Sequence, residues 1–232
     1  MEVSFAHYTI IADLFSYPDA GFAARVGGVQ AFLEETCPDA AEELREFSEF
    51  AAQASLVELH ELYTRSFDVQ AITTLDLGYV MFGDDYKRGQ VLVNLSKEQR
   101  EAGVDCGSEL PDHLPNVLRL LDAMQDHALR EELVQKIVAP ALRRIIGEFD
   151  PERLEKKNAV YKRHHKTLIE RSEHHGIIYR KTLRALYVLL KRDFDLAGSE
   201  TPFVPQHSRF LNSIGTEMTM ECNKGKSHGP TG

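Results

Sequence analysis

The 232-residue chain lacks the sequence signals of several protein classes. Its three cysteines, Cys37, Cys106 and Cys222, have no close spacing, and an odd number argues against a disulfide framework. No apolar run approaches the ~20 residues that a membrane-spanning helix needs. The N-terminus has neither the basic segment nor the small-residue cleavage site of a secretory signal. We therefore expect a reducing, cytoplasmic location without stable insertion in a membrane.

Motifs for nucleotides and metal ions are also missing. Neither GxxxxGK[ST] nor HExxH occurs, and Gly27-Gly28 lies in a helical context rather than in a GxGxxG loop. The pairs His164-His165 and His174-His175 are the strongest metal candidates. On one continuous helix, His164 and His175 would stand about 16 Å apart, too far for a single ion. The sequence therefore predicts a solvated basic surface there, with no metal and no cofactor.

The net charge of −9 is unevenly distributed along the chain. Residues 1–60 contain eleven acidic residues and two arginines, whereas residues 153–192 contain twelve basic residues and three glutamates. One interpretation, which we favour, is that these are helix faces that attract one another. The other is an acidic surface that receives a basic peptide, with charge acting on encounter and orientation. Nucleic-acid binding would rest on the basic segment alone and is not predicted.

Apolar residues recur with a helical period in nearly every segment, and no segment alternates with a period of two. This pattern predicts an all-α fold of about nine to ten helices over residues 1–194. Residues 195–232 are rich in Gly, Pro, Ser, Thr and Asn and are predicted to form a flexible tail, because they bury too little apolar surface to offset the entropy of ordering.

Local signals predict several helix boundaries. Ser55 and Glu58 have the spacing of a capping box, and Asp84-Asp85 place acids before a helix that Gly103 ends. Pro140 should kink or divide the helical segment 128–147. Asp150, followed by a proline, should begin another helix.

The segment ELPDHLP, residues 109–115, leaves more than one interpretation open. Asp112 is placed to be an N-cap, with Pro115 in the first turn, and we favour this role over one in lining a groove. An acid–base pair of Asp112 and His113 is disfavoured because neighbours on a helix point about 100° apart. Gly89 lies inside a predicted helix, so it should allow close approach of either a neighbouring helix or a bound peptide.

Three motifs in order carry a resemblance to a known family. They are Tyr63-x-x-x-Phe67 within ELYTRSFDVQ, Gly83 through Arg88-Gly89-Gln90 within TTLDLGYVMFGDDYKRGQVLVNL, and ELPDHLP. Over about residues 5–190 the chain resembles the NarJ-type (delta-subunit) assembly chaperones of respiratory nitrate reductase, a branch of the TorD/DmsD redox-enzyme maturation chaperones. It departs from the commoner nitrate reductase pattern at Tyr79–Phe82, which leaves the client enzyme open.

The resemblance implies an all-helical protein that is not an enzyme. Such chaperones hold the N-terminal segment of a molybdenum enzyme's catalytic subunit until the molybdenum cofactor is inserted, and delay membrane docking or export. The client of this branch is typically the nitrate reductase alpha subunit, and a homodimer is compatible with the sequence. The rival interpretations are a metal-dependent all-α hydrolase and a generic helical adaptor or nucleic-acid binder.

The resemblance and the apolar pattern together predict a peptide-binding groove. An amphipathic peptide would lay its apolar face between helices. The predicted site residues are Tyr63, Phe67, Met81, Phe82, Asp84, Asp85, Arg88, Gly89, Gln90, Asp112 and His113. Further apolar wall is expected from Leu62, Leu75, Val80 and Leu114. Asp84, Asp85 and Asp112 are expected at an acidic rim that holds basic residues of the peptide.

Overall fold

The computed structural model describes residues 5–155 and 177–196. Within these ranges the chain forms ten α-helices and no β-strand, which confirms the predicted fold class. No helix in these two ranges is long and apolar enough to cross a membrane. The helices are α1 (His7–Ala12), α2 (Phe22–Thr36), α3 (Pro38–Gln53), α4 (Leu56–Phe67), α5 (Leu77–Phe82), α6 (Tyr86–Ala102), α7 (Leu114–Ala123), α8 (His127–Leu133), α9 (Ala139–Glu148) and α10 (Tyr179–Asp193). A 3-10 turn, Asp13–Phe15, extends α1, and residues 151–155 are helical.

Several helix ends are set by the local signals that the sequence contains. At the start of α4, Ser55 Oγ accepts from the Glu58 amide, and the Glu58 carboxylate accepts from the Ser55 amide. Gly103 ends α6 with φ +71°, a left-handed conformation that glycine adopts without a steric penalty. Both predicted boundaries are confirmed.

The segment with Pro140 is divided as predicted. A π-helical turn, Val134–Val138, separates α8 from α9, and Pro140 lies in the first turn of α9. Proline lacks the amide hydrogen that a continuous helix would use, so a locally wider turn next to it is the expected adjustment.

The core is formed by helices that are consecutive in sequence and by helices that are distant from each other. Helix α3 packs against α2 and α10, α1 packs against α7, and α5 contacts both α6 and α9. The largest fully buried side chains include Tyr8, Phe15, Phe22, Phe47 and Tyr179. Helix α5 is thereby placed next to α9, and α6 next to α7.

The favoured interpretation of the charge asymmetry is confirmed where the structure describes both partners. Arg184 of α10 donates to Glu43 of α3 at 3.0 and 2.6 Å, and Lys181 lies 3.1 Å from Glu46. These pairs are half-exposed, so each stabilises the fold by less than about 1 kcal/mol. The rest of the basic segment, residues 156–176, lies outside the described residues, as do the two histidine pairs.

The predicted tail falls mostly outside the described residues. Helix α10 ends at Asp193, and Leu196 is still buried against the core. Residues 197–232 lie outside the ranges that the structure describes. The division into a domain and a flexible tail stays a prediction.

Candidate functional site

The predicted site residues from Met81 to Gln90 lie on two consecutive helices, the short α5 and the longer α6, which are joined by a sharp turn. Helix α5 ends at Gly83, whose φ of +61° lies in the region that favours glycine. Asp85 is the N-cap of α6, where its carboxylate accepts from the Lys87 amide at 3.0 Å. Arg144 of α9 donates to the carbonyl oxygens of Val80 and Met81 at the end of α5, both at 3.0 Å. The turn between α5 and α6 is therefore held from both sides.

A short antiparallel bridge joins this region to the ELPDHLP segment. The Leu77 amide donates to the Asp112 carbonyl, and the Leu114 amide donates to the Leu75 carbonyl, both at 2.9 Å. The backbone before α5 therefore runs beside the backbone before α7. Residues 75–77 and 112–114, which are more than thirty positions apart in sequence, are thereby fixed against each other.

An ionic network of four side chains crosses this bridge: Asp76, Arg88, Asp112 and His113. Arg88 donates to Asp76 Oδ2 at 3.1 Å and to Asp112 Oδ2 at 3.3 Å. The Nδ1 atom of His113 lies 3.2 Å from Asp76 Oδ1. The Arg88 guanidinium also lies 5.2 Å from the ring centroid of Tyr79, within range of a cation–π interaction. The network thus ties α5 and α6 to the start of α7.

The favoured role of Asp112 is wrong. The N-cap of α7 is His113, which makes no side-chain capping bond, and Pro115 lies in the first turn as expected. The Asp112 side chain is 0% exposed and faces Arg88. The Asp112 carboxylate accepts a charge-assisted hydrogen bond from Arg88 instead of capping α7. Because Asp112 is fully buried, its expected place at an exposed rim is wrong as well.

The two carboxylates of the network have pKa values that move in opposite directions. The hydrogen bond from His113 lowers the pKa of Asp76, and the charges of His113 and Arg88 contribute to the decrease. Burial raises the pKa of Asp112, and the nearby charge of Asp76 raises it further. The Oδ1 atom of Asp112 is buried without a hydrogen-bond partner among the described residues. Burial therefore disfavours the charged form of Asp112, whereas His113 and Arg88 stabilise the charged form of Asp76.

Two glycines near the ionic network, Gly78 of α5 and Gly89 of α6, differ in their surroundings. A Cβ atom at Gly78 would lie 2.7 Å from Asp112 Oδ2 and 3.3 Å from Arg88 Cγ, so the network closes over this glycine. A Cβ atom at Gly89 would meet nothing within 4 Å. The alternative that Gly89 admits a neighbouring helix is thus contradicted within the described part of the chain, and the alternative of a bound peptide stays a prediction.

Tyr63 and Phe67 belong to an aromatic cluster in the core. Phe67 makes edge contacts with Tyr63, Tyr179 and Phe149 at centroid distances of 5.3, 4.8 and 6.3 Å. The Tyr63 hydroxyl donates to the Phe15 carbonyl at 3.2 Å. Burial raises the pKa of the Tyr63 hydroxyl. These two motif residues therefore hold α4 to the C-terminal part of the domain, and their predicted place in a groove stays untested.

Most of the residues that were expected to form the apolar wall of the groove belong to the hydrophobic core. Leu62, Leu75, Met81 and Leu114 are all buried, so they have no surface to offer a peptide. Periodicity marks a residue as apolar and inward-facing but does not distinguish a core from a groove. The exposed large apolar side chains in this region were not predicted as site residues: Tyr79, Tyr86, Val93 and Leu110. Tyr86 and Val93 are seven residues apart in α6, a spacing that a search for exposed apolar stripes could have found.

The remaining predicted residues lie at or beside the start of α6. Asp84 and Asp85 are exposed, Phe82 and Gln90 are half-buried, and Gly89 is exposed. They therefore share a region with Arg88 and His113, although Tyr63 and Phe67 contact a different set of side chains. In the described ranges no group of three or more His, Cys, Asp or Glu residues is arranged to hold a metal ion.

Comparison with known proteins finds relatives but no matching family model. The chain is 28% identical over 156 residues to the probable nitrate reductase molybdenum cofactor assembly chaperone NarJ of Bacillus subtilis (strain 168). That match covers 66% of this chain and 81% of the relative. It is 30% identical over 135 residues to the probable nitrate reductase molybdenum cofactor assembly chaperone NarW of Escherichia coli (strain K12), covering 57% of this chain and 55% of the relative.

The resemblance predicted from three sequence motifs is thus confirmed. Both relatives are named as assembly chaperones and neither as a catalyst, which agrees with the prediction that the chain is not an enzyme.

Proposed function

We propose that this chain is a molybdenum cofactor assembly chaperone for a nitrate reductase. The observation that carries the proposal is the match to a named chaperone of this kind over 81% of that relative's length. The chain binds the N-terminal segment of the catalytic subunit in the cytoplasm. It holds that subunit competent for cofactor insertion and complex assembly before membrane docking or export.

The surface that best supports peptide binding is the outer stripe of α6, which we call the α6 face: Tyr86, Gly89, Gln90, Val93. These residues follow the spacing of one helix face, whereas Val91, Leu95 and Gln99 form the buried face. Tyr86 is 70% exposed and Val93 is 62% exposed. Two exposed apolar side chains, with a glycine between them that has open space around it, suit close contact with a second helix.

The second wall of the proposed site is the loop before α7. Leu110 is exposed, and together with Pro111 it lines a shallow hollow of about 390 Å³ beside Leu92 and Val93 of α6. Helix α6 has 17 residues, a length of about 25 Å. An amphipathic peptide helix of similar length could lie along it. The exposed carboxylates of Asp84 and Asp85 at the start of α6 would attract basic residues of such a peptide.

The assembly role is tested in cells that lack the chain. We expect the nitrate reductase catalytic subunit to be present but to contain little molybdenum and to have little activity, measured by elemental analysis and nitrate reduction. Restoring the full-length chain should restore both quantities. Normal molybdenum content and normal activity without the chain would refute the proposal.

The peptide-binding role is tested by calorimetry with the full chain and a synthetic peptide of roughly 20 residues, which spans about 30 Å as a helix. The peptide carries the N-terminal sequence of the catalytic subunit from the same organism. We expect Val93→Lys to weaken binding by roughly tenfold, about 1.4 kcal/mol. The matched control is Val57→Lys, because Val57 is 73% exposed on α4. If Val93→Lys binds the peptide as tightly as Val57→Lys does, the α6 face is not part of the binding site.

A further inference from the structure

We propose that Asp76 is a positioning residue of the peptide site, which holds the α6 face and the ELPDHLP loop at a fixed separation. The inference rests on the proposed function. Asp76 was not predicted as a site residue, although it lies in the segment TTLDLGYVMFGDDYKRGQVLVNL, seven residues before Gly83. It would act through Arg88 and His113.

The geometry of the Asp76 carboxylate carries this inference. Its Oδ2 atom lies 3.1 Å from the Arg88 guanidinium of α6, and its Oδ1 atom lies 3.2 Å from His113 at the start of α7. The two oxygens of one carboxylate therefore bind one group from each wall. Arg88 directly precedes Gly89 and Gln90 of the α6 face, and His113 follows the loop that contains Leu110 and Pro111.

Asp112 cannot replace Asp76 in this role. Its bond to Arg88 is longer, at 3.3 Å, and its other oxygen is buried without a hydrogen-bond partner among the described residues. A buried carboxylate with one unpaired oxygen is costly, and it needs a nearby cation to remain in place. Asp76 directs the Arg88 guanidinium so that it serves both carboxylates. Without Asp76, Arg88 would keep one partner and His113 would lose its side-chain partner in the network.

Burial suits Asp76 to positioning rather than to peptide contact. The Asp76 side chain is 26% exposed, the Arg88 side chain 18% and the His113 side chain 12%. Side chains covered to this extent are held by their neighbours and lose little additional freedom when a ligand binds. The bridge hydrogen bonds of Leu77 and Leu114 flank Asp76 and His113, so a change in the network should be detectable in their backbone amides.

The test compares four full-length proteins: wild type, Asp76→Ala, Asp76→Asn and Asp13→Ala. Asp13 is the matched control, because its carboxylate also joins two elements through arginines, Arg119 at 3.2 Å and Arg25 at 3.9 Å. Each protein is titrated with the N-terminal peptide by calorimetry well below its melting temperature. Hydrogen exchange of the Leu77 and Leu114 amides is measured in the absence of peptide.

We expect Asp76→Ala to weaken peptide binding by roughly tenfold and to speed exchange at both amides. Asp76→Asn should restore part of the affinity, because its amide oxygen can still accept from Arg88. Asp13→Ala should lower the melting temperature without changing the affinity. Wild-type affinity in Asp76→Ala would overturn this inference and leave the proposed function intact. Absence of binding by the wild type would overturn the peptide-binding proposal, whereas unchanged amide exchange in Asp76→Ala would separately refute the positioning role.

Discussion

Two regions of this molecule contain the motifs that carry its family resemblance, and they are built from opposite kinds of contact. The aromatic cluster joins Tyr63 and Phe67 of α4 to Tyr179 of α10 and is largely buried. The ionic network joins Arg88 to Asp112, Asp76 and His113 and lies only partly below the surface. The motifs of the family resemblance thus mark core positions in the first region and positions near an exposed surface in the second.

Because their contacts differ, the two regions should respond differently to substitution. Apolar contacts in the cluster stabilise the whole domain, because every lost ring leaves a cavity. Ionic contacts in the network contribute little net stability, since desolvation offsets much of their attraction. Their effect is on geometry, because charge-assisted bonds fix direction. We expect substitutions in the cluster to change stability more than peptide affinity, and substitution of the partly exposed Asp76 to do the reverse.

The largest expected effect is that of Tyr179→Ala in the aromatic cluster. Tyr179 is 1% exposed and contacts the rings of Phe47, Tyr63 and Phe67. Its removal should lower the free energy of unfolding by about 3–5 kcal/mol. Urea unfolding followed by circular dichroism measures this. Tyr179→Phe keeps the ring and is the control, with an expected loss of less than about 1.5 kcal/mol. Similar losses in both variants would show that the hydroxyl, not the ring packing, stabilises this region.

A smaller effect on stability is expected from Gly78→Ala in the ionic network. The added Cβ would lie 2.7 Å from Asp112 Oδ2. The Asp112 side chain is short and fully buried, so it cannot move away without weakening its bond to Arg88. We expect a loss of about 1–3 kcal/mol from overpacking, together with weaker peptide binding. Gly89→Ala, on the same pair of helices but with open space around the added Cβ, should be neutral or stabilising by up to about 1 kcal/mol. Equal stability of the two variants would contradict the crowding at Gly78.

The fold was predictable from the sequence where its causes are local. The capping box at Ser55, the left-handed Gly103 and the break before Pro140 each depend on residues a few positions apart. The ionic network was not predictable in the same way. Asp112 has the local pattern of an N-cap, but its partner Arg88 is 24 residues away in sequence. A local pattern does not reveal a stronger partner that only the folded chain supplies.

The family resemblance grouped Arg88 with Asp112 and His113, and the structure brings these side chains together. That they belong to a peptide-binding site stays a prediction. Asp76 was missed because it precedes a short apolar helix and reads as an ordinary helix cap. Met81 and Leu114 were taken as wall because an apolar period has the same appearance whether it faces a core or a ligand. Their burial excludes both residues from an exposed wall, whereas Tyr86 and Val93 of α6 are exposed.

Two helix caps sharpen the comparison with effects of about 1 kcal/mol. Ser55 caps α4, the helix that contains Tyr63 and Phe67, and Asp85 caps α6, the helix that contains Arg88. Ser55→Ala and Asp85→Ala should each lower the free energy of unfolding by about 1 kcal/mol. Only Asp85→Ala should also weaken binding of a basic peptide, because it removes an exposed charge at the start of the α6 face. Calorimetry measures the affinity and urea unfolding measures the stability of both variants. Reduced affinity in Ser55→Ala would contradict the expectation that only the α6 cap affects peptide binding.

The smallest expected effects are changes in how stability depends on pH, and they separate the two carboxylates of the network. The folded pKa of Asp76 is below its ordinary value of 3.8, so its stabilising contribution is present above that pH and is lost as the pH falls through the folded pKa. The folded pKa of Asp112 is above 3.8, so its contribution is present below that pH and is lost as the pH rises through the folded pKa.

The substitutions Asp76→Asn and Asp112→Asn should therefore change the pH profile with opposite sign. Relative to wild type, Asp76→Asn should lose stability as the pH rises from roughly 3 to 7, whereas Asp112→Asn should gain it over the same range. Urea unfolding at several pH values measures both differences. Profiles that shift in the same direction would mean that Asp112 is held in its charged form by Arg88 as firmly as Asp76 is. In that event burial would not dominate at Asp112, and the network would be evenly paired instead of depending on Asp76.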